Sequence, residues 1–165
     1  ASAIMRRLIL ALSTKVAYDG VPLAVFPSVE GFLAADDGVV RAAGLSARKL
    51  TTLRRVGEAI VTGAISEAML EERSSIDASL LLRGIKGVGP WTAAVILLRG
   101  LGRLDIFPGN DSSVAANLAL VAGESVNVGP VVERLGSQCG MLHFCLLLAR
   151  LEARDEIGRA SDVAR

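Results

Sequence analysis

Apolar residues recur every three to four positions along most of the chain, which is the spacing of amphipathic helices. The stretch from Ser46 to Gly63 has its apolar residues on one face, namely Leu50, Leu53, Val56 and Ile60. Further helices are predicted to begin near Ser28, Asp36 or Asp37, Ser66, Ser75, Pro90, Asn110 or Asp111, and Met141. Alternating β-branched runs are hard to find. The pattern predicts an all-α, orthogonally packed helical bundle.

Length and composition indicate one domain. The 165 residues are 52% hydrophobic and 21% charged, with a net charge of +1, which excludes a disordered chain. We expect a helical domain over residues 1–155 and a polar tail over 156–165. Charged residues and glycines interrupt the apolar stretches too early for a membrane span. The two cysteines, Cys139 and Cys145, do not form a disulfide framework and favour a cytoplasmic location.

The most informative segment spans residues 80–99, where a short helix, the turn Gly87-Val88-Gly89 and a second helix follow one another. Two glycines let the backbone turn sharply, and Val88 between them is expected in the core. The next helix then starts with unpaired N–H groups, which favour a phosphate. This is a helix-hairpin-helix motif. The alternative is a plain glycine-rich connection between two helices.

A second segment, Phe107-Pro108-Gly109-Asn110-Asp111, follows some twenty residues later. Asp111 stands at the predicted start of a helix, where a carboxylate caps well. Capping alone would therefore explain Asp111, and Asp105 would equally serve as an acceptor that orders the loop.

Taken together, the two segments resemble the helix-hairpin-helix DNA glycosylase superfamily, and most closely its 3-methyladenine DNA glycosylase II family. The resemblance extends to Phe26–Asp37, to Gly44-Leu45-Ser46 followed by Arg48-Lys49, and to Gly140-Met141-Leu142. It implies a DNA repair enzyme that flips an alkylated base out of duplex DNA and hydrolyses its N-glycosidic bond.

The resemblance also assigns roles to individual residues. Asp111 matches the catalytic carboxylate, which would stabilise the positive charge that develops on the sugar. Trp91 stands where relatives with lyase activity have a nucleophilic lysine, so the enzyme is expected to be a hydrolase without lyase activity. Trp91 and Val95 would line the base pocket, with Trp91 stacking on a cationic base. A packed aromatic that covers the hairpin is the alternative for Trp91.

By the same resemblance, the hairpin would hold the DNA backbone. Amides of Gly87, Gly89 and Thr92 would bind a phosphate, with Lys86 adding positive charge nearby. Carbonyls of Arg83, Ile85 and Val88 would coordinate Na⁺ or K⁺. No cofactor is expected to be required, and two cysteines cannot build a four-cysteine iron–sulfur loop.

Two competing hypotheses stay open. The near-neutral charge leaves room for a non-catalytic module that binds DNA for a larger protein, or for a plain helical interaction domain. The chain opens at Ala1 as if inside a helix, so we expect an N-terminally incomplete fragment that is weakly active or inactive alone. The sequence leaves the preferred lesion and the oligomeric state undetermined; bacterial cytoplasm, at the nucleoid, is the expected location.

Overall fold

The computed structural model describes residues 2–109 and 113–154. It is mostly helical, as predicted. The helices are α1 (Ser2–Leu12), α2 (Val29–Ala34), α3 (Asp37–Ala42), α4 (Ala47–Val61), α5 (Glu67–Glu71), α6 (Ser75–Arg83), α7 (Pro90–Gly100), α8 (Val114–Ala122), α9 (Val128–Leu135) and α10 (Cys139–Glu152). Two strands, β1 (Lys15–Tyr18) and β2 (Val21–Ala24), and a short 3-10 helix over Gly136–Gln138 complete the described elements. None of the described helices is long and apolar enough to cross a membrane.

Side-chain caps set most of the helix starts that the sequence predicted. Hydroxyl oxygens of Ser28, Ser46 and Ser66 accept hydrogen bonds from backbone amides in the first turns of α2, α4 and α5. The Asp36 carboxylate does the same for α3. Such caps satisfy amides that have no partner inside the helix, so short polar residues before an apolar run mark helix starts well.

Two details of the prediction were wrong. Ser75 does not cap α6 but is its first residue; the Ser74 hydroxyl accepts the Asp77 amide at 3.1 Å and is the cap. The residues between Gly123 and Cys139 contain α9, which was not predicted. This helix begins at Val128, and its N-cap is Asn127, whose side-chain oxygen accepts the Gly129 amide at 3.1 Å. The internal Gly129 and Pro130 hid it, although Pro is well tolerated in a first turn.

An antiparallel hairpin of β1 and β2 was also not predicted, and it corrects the expectation that strands are absent. Its turn is Asp19-Gly20, with φ of +52° and +77°, which is a sequence typical of two-residue hairpin turns. Both strands are exposed along their whole length. Without an apolar face to bury, they lack the alternation by which strands are recognised.

The chain divides into two compact units. The first unit comprises Ala1–Glu72 and Leu81–Val88, and the second comprises Arg73–Leu80 and Gly89–Arg165. In the first unit, the residues buried together are Leu8, Val40, Ala43 and Leu50. In the second unit, Val114, Leu118 and Leu146 form a cluster between α8 and α10, with Phe107 packed against it.

Arg54 fastens α2 to α4 inside the first unit. Its guanidinium donates to the carbonyls of Phe32 (2.7 Å), Leu33 and Ala35 (2.5 Å) at the end of α2. It also pairs with Asp37 at 2.6 Å. The last carbonyls of a helix lack the regular partner four residues on, and Arg54 supplies donors to them, so Arg54 serves the fold.

Candidate functional site

The hairpin between α6 and α7 contains a residue that only glycine suits. Gly87 has φ +107°, and a Cβ built there would lie 2.2 Å from the Thr52 Oγ1 of α4. Gly87 is exposed, whereas Val88 is buried and only 6% exposed, as predicted. The Val88 amide donates to the Ile85 carbonyl at 2.9 Å, which closes the turn. The turn therefore holds its apolar residue inward and leaves Gly87 open to solvent.

Helix α4 supports this turn within the first unit. Besides the Thr52 contact with Gly87, the Arg55 guanidinium donates to the Lys86 carbonyl at 3.2 Å. Lys86 itself is exposed. Neither Thr52 nor Arg55 was predicted to be near the hairpin. No local sequence signal identifies them, because each of the two contacts joins residues more than thirty positions apart.

In the second unit, α7 begins with backbone amides that the helix leaves unpaired. Gly89 is its N-cap and provides no side-chain hydrogen bond, and Pro90 is its first residue. The first bond inside the helix runs from the Ala93 amide to the Gly89 carbonyl at 3.0 Å. The amides of Trp91 and Thr92 consequently have no partner within α7 and are available to an acceptor.

A cleft lies beside the first turn of α7, against the Phe107 segment that follows the helix. It measures about 270 Å³ and is lined by Pro90, Trp91, Ala94, Phe107, Pro108 and Gly109. Trp91, one of these lining residues, is 41% exposed. Val95 is half-buried and does not line this cleft, whereas its neighbour Ala94 does. Trp91 of the hairpin segment and Phe107 of the second predicted segment thus line the same cleft.

A wider, shallow cavity of about 660 Å³ adjoins the same segment, sharing Phe107 and Gly109 with the cleft. Its walls carry Asp105, Glu133 and Cys139. The Asp105 carboxylate accepts from the Ser75 hydroxyl at 2.9 Å, so it orders the loop. Burial, and secondly the negative charge of Asp105, raise the pKa of the Cys139 thiol above its ordinary value. Cys139 is therefore not an activated nucleophile.

Gly140 fixes the backbone that leads to Phe107. Its amide donates to the Leu104 carbonyl at 2.7 Å. A Cβ at Gly140 would lie 2.8 Å from that oxygen, 2.9 Å from the Ile106 oxygen and 2.6 Å from Leu98 Cδ1. The backbone of residues 104–106 therefore approaches α10 as closely as a glycine allows.

Gly140→Ala is expected to destabilise the protein by about 3 kcal/mol, because two backbone oxygens must move to admit the methyl group. Gly100→Ala is the matched control. Gly100 is also helical, but a Cβ there meets nothing within 4 Å, so the change is expected to be neutral or slightly stabilising. Denaturant unfolding measures both. Equal stability of the two variants would contradict the close approach.

The remaining predicted site residues fall into two groups. The predicted catalytic residue, Asp111, lies outside the described residues. The carbonyls of Arg83, Ile85 and Val88 are described and belong to the first unit. Among the described residues, no group of three or more His, Cys, Asp or Glu side chains is arranged to hold a metal ion.

Comparisons with known proteins support the predicted superfamily. No family model matches the sequence. A segment of 90 residues, 54% of this chain, is 37% identical to DNA-3-methyladenine glycosylase 1 of Schizosaccharomyces pombe and covers 40% of that protein. The chain thus spans less than half the length of this relative.

Solved structures share the fold over most of this chain. A 3-methyladenine DNA-glycosylase from Archaeoglobus fulgidus matches 90% of this chain and 51% of its own, with a TM-score of 0.72 and 25% identity. A Schizosaccharomyces pombe 3-methyladenine DNA glycosylase in complex with abasic DNA matches 96% of this chain and 74% of its own, with a TM-score of 0.68 and 23% identity.

An 8-oxoguanine glycosylase/lyase from Clostridium acetobutylicum, in complex with double-stranded DNA, has the same fold. It matches 94% of this chain and 54% of its own, with a TM-score of 0.71 and 19% identity. At this identity the likeness concerns the fold alone. The shared fold and the local sequence similarity together support the resemblance to the helix-hairpin-helix DNA glycosylase superfamily.

Proposed function

We propose that the protein is a DNA repair glycosylase that removes alkylated bases of the 3-methyladenine type from double-stranded DNA. The observation that carries the proposal is the cleft between Trp91 and Phe107, in a chain whose sequence is similar to a 3-methyladenine glycosylase. Asp111 follows Gly109, a lining residue of that cleft, by two positions. In this proposal the catalytic carboxylate follows the cleft-lining segment directly in the sequence.

The chemistry needs little more than these groups. Breaking an N-glycosidic bond leaves positive charge on the sugar, and the carboxylate of Asp111 would stabilise that charge and orient the attacking water. An alkylated purine is already cationic and leaves without strong acid assistance. The exposed π-face of Trp91 would attract such a base more than a neutral one. Base selection would thus depend on charge as well as shape.

The hairpin would hold the DNA strand. In this proposal the amides of Gly87, Gly89 and Thr92 donate to phosphate oxygens, and Lys86 contributes a nearby positive charge. The exposed position of Gly87, the unpaired first-turn amide of Thr92 and the exposure of Lys86 support it. Because only backbone atoms and one lysine are involved, this contact would not depend on DNA sequence.

A monovalent cation fits the same turn. The carbonyls of Arg83, Ile85 and Val88 are oxygen donors of the kind that Na⁺ and K⁺ take. The Arg83 carbonyl is among the last four of α6, which accept no bond within the helix. The Ile85 carbonyl accepts the Val88 amide and retains its second lone pair. These residues would hold the ion, whose charge would favour a phosphate nearby.

We further propose that the enzyme lacks lyase activity, because Trp91 cannot form a Schiff base with the sugar. With an alkylated duplex and borohydride, no covalent protein–DNA adduct is expected on a denaturing gel. The DNA strand should stay intact until hot alkali cleaves the abasic site. An adduct trapped by borohydride, or strand cleavage without alkali, would contradict a simple hydrolase.

The proposed function is tested by incubating the intact protein with duplex DNA methylated at purines and measuring the free bases. We expect release of 3-methyladenine, and much slower release of 8-oxoguanine from a duplex that contains it. The competing function is a DNA-binding module without catalysis, which the net charge of +1 does not distinguish from an enzyme. Binding of the duplex without release of any base would favour that module.

A further inference from the structure

We propose that α4 supplies a second contact with the DNA backbone, through the Arg48 guanidinium beside the hairpin. This inference rests on the proposed DNA-binding function and extends it to a residue outside the helix-hairpin-helix motif. Its basis is the way in which the first unit places one face of α4 against the exposed turn at Lys86 and Gly87.

The face in question is defined by helical spacing. Arg48, Thr52 and Arg55 stand at positions i, i+4 and i+7 of α4 and so lie in one row along the helix. Two members of this row touch the hairpin: Thr52 meets Gly87, and Arg55 donates to the Lys86 carbonyl. Arg48 is therefore about one turn, or about 5.4 Å along the axis, from the contact between Thr52 and Gly87.

The three arginines of α4 differ in the partners that their side chains bind. Arg54, on the opposite side of the helix, is engaged by the carbonyls at the end of α2 and by Asp37. Arg55 is half-buried and bound to the hairpin backbone. The Arg48 side chain is exposed, and no hydrogen bond or ion pair joins it to any residue that the structure describes. Its charge is thus available to an external anion.

Helix stability does not explain a cation at this position. The first turn of α4 contains no acidic residue, while Arg48 and Lys49 both stand there. Positive charges near a helix start interact unfavourably with the macrodipole, by some tenths of a kcal/mol each at an exposed site. A bound phosphate would offset that cost. An extended polyanion that meets the turn at Gly87 would meet Arg48 one helical turn away, so the structure favours a nucleic acid backbone as the partner.

The test compares two variants that each remove one exposed positive charge from the first unit, Arg48→Gln and Lys15→Gln. Affinity of the intact protein for an undamaged duplex is measured over a series of salt concentrations. Loss of one phosphate contact lowers the slope of log K against log salt by about 0.9 and weakens binding on the order of ten-fold at about 50 mM salt. We expect this change for Arg48→Gln, with an unaltered melting temperature, and no change in slope for Lys15→Gln.

Arg48→Lys is expected to restore the slope, because a lysine also neutralises a phosphate. An Arg48→Gln slope equal to that of the unaltered protein would overturn the inference and leave the proposed function intact. Equal losses in Arg48→Gln and Lys15→Gln would overturn it too, since they would indicate diffuse charge. An unaltered protein that does not bind duplex DNA would overturn the proposed function as well.

Discussion

Replacing Asp111 by Asn is expected to slow the release of an alkylated base by at least about 100-fold, which is the usual effect of removing one charge-stabilising group from an active site. An amide keeps the shape and the capping ability of the carboxylate but lacks the negative charge that opposes the developing charge on the sugar. The measurement is single-turnover base release from a duplex with one alkylated purine, together with the Kd for that duplex.

Asp77→Asn is a matched control, since Asp77 is an exposed carboxylate in the first turn of α6. It should leave the rate unchanged. The Asp111→Asn protein should keep its DNA affinity and its melting temperature, which would separate catalysis from capping. Full activity in Asp111→Asn would remove the residue from the mechanism, and a loss of activity that follows a loss of folding would assign it to capping alone.

Gly87→Ala is expected to have the second large effect, on both stability and DNA binding. A left-handed backbone costs an alanine about 1–2 kcal/mol, and overpacking against Thr52 adds about 1–3 kcal/mol. At about 2–4 °C per kcal/mol for a chain of this size, the melting temperature should fall by at least about 4 °C. Because the turn must shift to admit the methyl group, affinity for duplex DNA should fall as well.

Two controls separate the causes of this effect. Gly63→Ala has the same kind of backbone conformation, φ +74°, but a Cβ there meets nothing within 4 Å, so only the smaller backbone cost is expected. Thr52→Ala removes the Oγ1 that would lie 2.2 Å from the new Cβ. Combined with Gly87→Ala, it should recover part of the stability in a double-mutant cycle. A Gly87→Ala protein no less stable than Gly63→Ala would contradict the contact with α4.

The helix starts were predictable because their signals are local. The hydroxyls of Ser28, Ser46 and Ser66 bond to amides three residues further on, so the sequence contains both partners. The β1–β2 hairpin and α9 were missed for physical reasons. The strands bury neither face, so they show no apolar alternation. The first turn of α9 contains Gly129 and Pro130, a pair more typical of a turn.

The candidate site was predictable in part for the same reason. The buried Val88 and the open Gly87 follow from the order of residues in one short turn. The support that α4 gives to this turn depends on contacts between distant residues, Thr52 with Gly87 and Arg55 with Lys86. Ala94 lines the cleft, while the resemblance placed its neighbour Val95 in the base pocket. Which of the two faces the cleft depends on how the Phe107 segment lies against α7.

In the proposed mechanism a damaged base enters the cleft at Trp91, which is the one tryptophan in the chain. Its fluorescence therefore reports on the cleft without labelling. The most direct test is to titrate the Asp111→Asn protein with a duplex that contains one alkylated purine, and with the same duplex undamaged. We expect strong quenching by the damaged duplex, as the base stacks on the indole, and little change with the undamaged one. Emission that stays unchanged when the damaged duplex is saturating would contradict it.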